Sequence, residues 1–72
     1  MEEISYEIVE TLGTLSTTRS GWTKEVNMIS WNGGQARLDI RSWSPGEHKP
    51  GKGVSLNQYE EEALKKILAE GE

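Results

Sequence analysis

Apolar and polar residues alternate along most of the first 43 positions, and alternation with a period of two predicts β-strands. A phase shift near Val9 or Gly13 indicates a bulge in the first strand. Gly33-Gly34 predicts a tight hairpin between the second and third strands, and the polar stretch 16–21 predicts a turn. Three strands are therefore predicted: residues 4–15, 22–32 and 35–43.

The remaining residues, 44–72, predict a loop, then a short strand and a helix. Residues 44–53 contain two prolines and three glycines, which predicts a loop. Residues 54–56 are long enough for only a short fourth strand. Asn57 is a good helix N-cap with Glu60 at the reciprocal position of a capping box, and apolar residues follow helical spacing from 58 to about 69.

The third strand has the cleanest alternation and separates two kinds of face. The helix has one apolar stripe, so it can cover one face of the sheet and leaves the other to solvent. We expect the helix to cover Ala36, Leu38 and Ile40, and the solvent to reach Arg37, Arg41 and Trp43. A two-residue hairpin would place Trp31 opposite Ala36, whereas a longer loop would shift this register. The order β-β-β-β-α predicts an α+β fold of one domain over residues 1–72.

A chain of 72 residues has a thin core, because a domain of this size buries only roughly 60% of its unfolded surface. Disulfides, metals or oligomerisation usually add support. The sequence has no cysteine and one histidine, His48, so disulfides and thiolate metal sites are excluded and no other metal or cofactor is expected. Dimerisation is the support that remains.

The net charge of −4 argues at first against a nucleic-acid partner, but the charge is unevenly distributed. Residues 19–52 carry six basic residues against three acidic ones, a net charge of +3. The remaining residues carry two lysines against nine glutamates, a net charge of −7. A phosphate backbone responds to the local field, so we expect it to bind at the basic middle of the chain.

A solvated strand face with arginine and tryptophan suits single-stranded nucleic acid. Arginine matches phosphate oxygens in bidentate geometry, and an exposed indole offers an unstacked base a platform worth about 1–3 kcal/mol. Simpler interpretations stay open. Each tryptophan could belong to the core, Arg37 and Asp39 could be ordinary cross-strand charge partners, and residues 48–52 could be a solvated turn.

Catalysis and membrane insertion have no support in the sequence. There is no cysteine nucleophile, no glycine-rich phosphate loop, and no histidine with a partner at motif spacing, so we do not expect an enzyme. No stretch approaches the ~20 apolar residues of a membrane span. Met1-Glu2-Glu3 is acidic and unlike the start of a signal peptide. We expect a soluble cytoplasmic protein.

The most specific signal lies in residues 38–57. Asp39-Ile40-Arg41 and Trp43 are followed by Lys49-Pro50-Gly51-Lys52-Gly53 and Val54-Ser55-Leu56-Asn57. This order and spacing resemble the C-terminal domain of the eukaryotic transcriptional positive coactivator (positive cofactor four), and more closely its short bacterial YdbC-like relatives. The resemblance implies a curved four-stranded antiparallel sheet followed by one helix, a homodimer, and non-catalytic binding of single-stranded DNA with little sequence preference.

The resemblance also implies roles for individual residues. Trp43 and Trp31 match positions that stack on bases, and Arg41, Lys49 and Lys52 match positions that contact the backbone. Lys24 and Trp22 fit basic and aromatic positions of the bacterial branch, and Arg37 is added because it shares a face with Arg41. The expected nucleic-acid-binding residues are therefore Trp22, Lys24, Trp31, Arg37, Arg41, Trp43, Lys49 and Lys52.

Two alternatives stay open for the partner. Arginine and tryptophan are favoured anchors at protein interfaces, so the same face could receive an acidic peptide or a subunit, such as a transcription or replication protein. Single-stranded RNA is a variant of the first hypothesis, because stacking and phosphate contacts barely sense the 2′-hydroxyl. Transcription, replication or repair would be the process served.

Overall fold

The computed structural model describes residues 5–71 and contains four strands and one helix. Their bounds are β1 (Tyr6–Thr17), β2 (Thr23–Trp31), β3 (Arg37–Trp43), β4 (Pro50–Leu56) and α1 (Gln58–Glu70). The strands form one antiparallel sheet in sequence order, which confirms the predicted four-stranded antiparallel sheet followed by one helix. Ile4, where the predicted first strand began, and Met1-Glu2-Glu3 lie outside the described residues.

β1 is bent by three register shifts against β2. The shifts leave Val9, Leu12 and Leu15 without a partner, and all three side chains are exposed. A β-bulge bends its strand and increases the local twist. The prediction of a bulge near Val9 or Gly13 is confirmed at both positions, since shifts occur at Val9 and at Leu12, next to Gly13; the third shift, at Leu15, was not predicted.

The turn between β2 and β3 corrects the predicted register. Asn32 and Gly33, with φ of 52° and 76°, take the central positions rather than Gly33-Gly34. The N–H of Gly34 donates to the carbonyl of Trp31 at 2.9 Å. Ile29 pairs with Arg37, so Trp31, two residues further on, shares a face with Arg37 rather than with Ala36.

β4 is longer than predicted because it includes part of the expected loop. Pro50 is its first residue, a position where proline is tolerated in a strand. Gly53 pairs with Arg41, and a Cβ at Gly53 would overlap the Cβ of Arg41 and lie 2.5 Å from the carbonyl oxygen of Ile40. The glycine that favoured a loop in the sequence permits a close approach of two strands in the fold.

The first turn of α1 is held by the predicted capping box. The N–H of Glu60 donates to Asn57 Oδ1 at 2.9 Å, and the N–H of Asn57 donates to Glu60 Oε1 at 3.0 Å. No described residue of α1 is buried. The helix contacts only the ends of β3 and β4 among the described strands, and its apolar stripe faces solvent, with Tyr59 88% exposed and both Ile67 and Leu68 63% exposed.

The sheet is strongly curved toward one face. Tyr6 pairs with one end of β2 and Trp43 with the other, and these ends would be about 26 Å apart if the nine residues of β2 were fully extended. Nevertheless the two ring centroids are 5.7 Å apart. We call this side, which carries Arg37, Arg41 and Trp43, the concave face, and the side that carries Leu38 and Ile40 the convex face.

The core lies mainly on the concave face, which is the reverse of the expectation from strand alternation. Four residues of this face are fully buried: Asn27, Ile29, Asp39 and Trp43. On the convex face Leu38 is buried, whereas Ile40 is only half-buried because α1 covers little of the sheet. Alternation correctly separated the two faces but did not show which one would be closed off.

Candidate nucleic-acid interface

Trp43 does not protrude into water, so that prediction is wrong. Its exposed fraction is 0%, with the ring of Tyr6 on one side and the imidazole of His48 stacked at 4.5 Å between centroids. The cause is the loop between β3 and β4, which folds back over the strand. The N–H of Ser44 donates to the carbonyl of Lys49 at 2.9 Å, and the N–H of Lys49 donates to Ser44 Oγ at 2.9 Å.

Arg41 is also not a free cation, and the prediction that its guanidinium stands in solvent is wrong. Its Nε and Nη2 donate to the two carboxylate oxygens of Asp39 at 2.7 and 2.8 Å, and its Nη1 donates to the carbonyl of Gly51 at 3.0 Å. Its side chain is 16% exposed, and that of Asp39 is fully buried. A buried carboxylate requires a counter-charge, and Arg41, two residues along on the same face, supplies it.

Trp31 joins the same network and is only half-buried. The guanidinium carbon of Arg41 lies 4.7 Å from the centre of its ring, a cation–π contact. Its Nε1–H donates to Ser55 Oγ at 3.1 Å, and the Ser55 hydroxyl donates to Asp39 Oδ2 at 2.6 Å. These contacts fix the orientation of the indole on the concave face.

Four rings form a continuous row across the concave face, in the order Trp31, Tyr6, Trp43 and His48. The ring centroids of Trp31 and Tyr6 are 5.4 Å apart, and their planes are tilted by 44°. We call this set the aromatic row. Tyr6, 37% exposed, was absent from the predicted site; its place in the alternation of β1 and its pairing with Trp31 were the signals that could have found it.

Glu25 is the acidic residue that fastens the loop to the sheet. Its carboxylate accepts from Thr23 Oγ1 at 2.6 Å, from Asn27 Nδ2 at 3.5 Å, and contacts His48 Nε2 at 3.0 Å. Burial raises the pKa of Glu25, but the hydrogen bonds from Thr23, His48 and Asn27 and the charge of His48 outweigh burial and hold that pKa below its ordinary value. Glu25 is therefore charged at neutral pH.

The exposed cations of the predicted site fall on different surfaces. Arg37 lies on the concave face, and Lys49 lies in the loop, with its Nζ 3.0 Å from Glu47 Oε1. Lys24 pairs with Ser42 and so lies on the convex face. Lys52 is exposed and lies in β4 between Gly51 and Gly53, where the register against β3 shifts. The eight predicted residues do not form one patch.

Trp22 marks a second exposed aromatic position, at the end of the sheet. Its indole is 39% exposed and reaches across the end of β3, where a Cβ at Gly51 would lie 3.0 Å from Trp22 Cζ3. The absence of a side chain at Gly51 therefore makes room for the indole. Lys24, two residues further along the chain, lies on the convex face, and Lys52 follows Gly51, the residue against which the indole packs.

The fold and this site together define the class: an α+β domain with a four-stranded antiparallel sheet, one C-terminal helix, and a sheet face that carries a row of rings. The chain belongs to the family described as Transcriptional Coactivator p15 (PC4), whose model matches residues 18–67. That family is known for binding single-stranded DNA. The chain is also similar to an uncharacterized protein of Treponema pallidum (strain Nichols), with 46% identity over 67 residues that cover 93% of this chain and 79% of the relative.

Between residues 5 and 71 the structure has no helix that is both long enough and apolar enough to cross a membrane.

Proposed function

We propose that the protein is a homodimer that binds single-stranded DNA on its sheet, with little sequence preference and without catalysing a reaction. The aromatic row is the observation that carries this proposal, because unstacked bases bind to ring surfaces and every base has one. Membership in the family supports the same function. A cytoplasmic location and a role in transcription, replication or repair remain predictions.

The row offers two rings that solvent reaches in the state described by the structure. Tyr6 is 37% exposed and Trp31 is half-buried, so bases can stack on these two without any rearrangement. Trp43 lies beneath them as a support, and Arg41 orients Trp31 through its contact with the ring. We propose that these two buried residues act mainly by positioning the exposed rings.

Phosphates require cations that water can reach. Arg37 on the concave face and Lys49 beside the row are both exposed, and we propose that they contact the backbone of the strand. Trp22, Lys24 and Lys52 would extend the path around the end of the sheet to the convex side. A single strand is flexible enough to follow such a curved path, whereas a stiff duplex is not.

A second copy would cover the apolar surface that this chain leaves open. The stripe of α1 is exposed, and Val54 on the convex face is 49% exposed. A thin core of this kind is usually completed by oligomerisation. We therefore propose that α1 and the convex face meet their counterparts in the dimer.

The test is binding of labelled oligo-dT at several salt concentrations, with a duplex of the same length as comparison. We expect tight binding of the single strand that weakens steeply from about 50 to 200 mM salt, because phosphate contacts release counterions. Oligo-rU reports whether RNA binds equally well. Absence of binding at low salt, or a binding constant that ignores salt, would contradict the proposal.

Two matched variants locate the surface. Lys49→Ala should weaken binding and lower the salt slope by about one counterion. Lys66→Ala, an exposed lysine on α1, makes the same change of charge and should leave both unchanged. Equal effects of the two variants would indicate attraction to overall charge rather than to the proposed path.

A further inference from the structure

The imidazole of His48 occupies a ring surface that a ligand could use. It lies 4.5 Å from the indole of Trp43, measured between centroids, and the two planes differ by only 8°. This is the stacked arrangement that a nucleobase adopts on an indole. An imidazole is itself a flat nitrogen heterocycle, so the chain has placed a base-like ring of its own at the end of the aromatic row.

The backbone of the loop is strained to hold that ring in place. His48 has a φ of 56°, a left-handed conformation that is uncommon for a residue with a side chain. Gly46, two residues earlier, has a φ of 77°. Such conformations persist where other contacts enforce them, and they concentrate at ligand clamps and switch segments. Glu25 supplies the enforcing contact here through His48 Nε2.

The indole of Trp43 has a second unused feature. Its Nε1–H is buried and has no acceptor among the described residues, and Asn27 Oδ1 on the same face likewise has no donor. A buried polar group without a partner is destabilising, so these atoms are rare in folded proteins. Opening of the loop would let water or a ligand atom reach the indole N–H and would remove this penalty.

We propose that His48 holds the place of a nucleobase on Trp43, and that single-stranded nucleic acid displaces the imidazole and inserts a base there. This inference rests on the proposed function and adds to it a residue of the chain that competes with the ligand. In the closed state Tyr6 and Trp31 receive bases, and in the open state Trp43 becomes a further stacking position. His48 is thus an internal competitor of the ligand, and its removal should strengthen binding.

The test compares the affinities of the wild type, His48→Asn and His48→Phe for oligo-dT, and the two substitutions make the same change of charge. Asparagine tolerates a left-handed backbone and removes the ring. We expect His48→Asn to bind roughly 2- to 10-fold more tightly, the equivalent of one aromatic pair no longer broken. His48→Phe keeps a ring and should not gain affinity.

The outcomes separate this inference from the function on which it rests. If the wild type binds and His48→Asn binds equally or more weakly, the inference that His48 competes with the ligand is overturned, and the proposal of single-strand binding stands. If neither protein binds, both proposals fail. Binding by His48→Asn alone would mean that the imidazole blocks the site completely, which supports both.

A second measurement protects the test against a variant that does not fold. In the wild type, the NMR signal of the Trp43 indole N–H should shift when oligo-dT is added, together with the ring signals of His48. The ring signals of Tyr59 on α1, away from the proposed path of the strand, serve as reference for a general effect of binding. A Trp43 signal that stays in place in the saturated complex would overturn the inference.

Discussion

Arg41 donates hydrogen bonds to both carboxylate oxygens of Asp39, at 2.7 and 2.8 Å, and neither side chain is fully exposed to water. The arginine that the sequence offered to a phosphate is instead the counter-charge of a buried carboxylate. The carboxylate of Asp39 also accepts a hydrogen bond from the Ser55 hydroxyl, which in turn accepts one from the indole N–H of Trp31. An internal ion pair therefore sets the geometry of the aromatic row.

Asp39→Asn should destabilise the fold strongly. The substitution leaves the Arg41 guanidinium poorly hydrated and without its anion, and breaking a buried pair on one side costs about 3–5 kcal/mol. Urea unfolding followed by circular dichroism measures the loss. Glu61→Gln, which breaks the exposed pair with Lys65 on α1, is the control and should cost about 0.3–0.5 kcal/mol. Similar losses for both would show that the buried pair is no stronger than a surface one.

Glu25 should make the fold sensitive to acid. Its pKa is lowered in the folded state, so the stabilisation it gives is fully present above its ordinary value of 4.5 and is lost as the pH falls through the lowered value. Glu25→Gln should cost about 1 kcal/mol at neutral pH, and this difference from the wild type should shrink below about pH 4.5.

Unfolding curves from neutral to acid pH check this dependence. Glu47→Gln removes an exposed carboxylate from the neighbouring loop and serves as control, with stability close to the wild type throughout. A Glu25→Gln difference that stays constant into strong acid would contradict the lowered pKa.

The sequence predicted the elements better than it predicted the site. Strand alternation separated Leu38 and Ile40 from Arg41 and Trp43 correctly, because successive side chains point to opposite faces whatever surrounds them. It indicated a bulge near Val9 or Gly13 but could not show that the sheet curves toward Trp43, since alternation does not give the direction of curvature.

The prediction that Trp43 and Arg41 are exposed was wrong for a related reason. A loop rich in proline and glycine is expected in solvent, and nothing in its composition shows that His48 returns to cover a ring on the preceding strand. The partner of Asp39 was also ambiguous, because Arg37 and Arg41 lie equally far along the same face. In the fold, Arg41 is the arginine that pairs with Asp39, and Arg37 remains exposed.

Gly53→Ala should be poorly tolerated. The added Cβ would overlap the Cβ of Arg41 and press on the carbonyl of Ile40, forcing β3 and β4 apart at the point where Arg41 is positioned. Overpacking of this kind costs about 1–3 kcal/mol. Gly13→Ala, where a Cβ meets nothing within 4 Å, is the matched control and should change the melting temperature little. Loss of stability in both variants would show that the effect comes from the lower backbone freedom of alanine rather than from contact with Arg41.

Ile67→Glu should convert the protein to a monomer. Ile67 lies on the exposed stripe of α1, and a carboxylate there would be buried against apolar side chains if two copies meet through this helix. Size-exclusion chromatography with light scattering should give the mass of a dimer for the wild type and of one chain for the variant. Lys66→Gln alters the charge of the neighbouring exposed position by the same amount and should remain dimeric.

Because a dimer presents two sheets to one strand, the monomer should also bind oligo-dT more weakly, by the factor that a second linked site provides. A wild type that runs as one chain, or an Ile67→Glu variant that keeps the wild-type mass, would mean that this stripe is not the dimer interface.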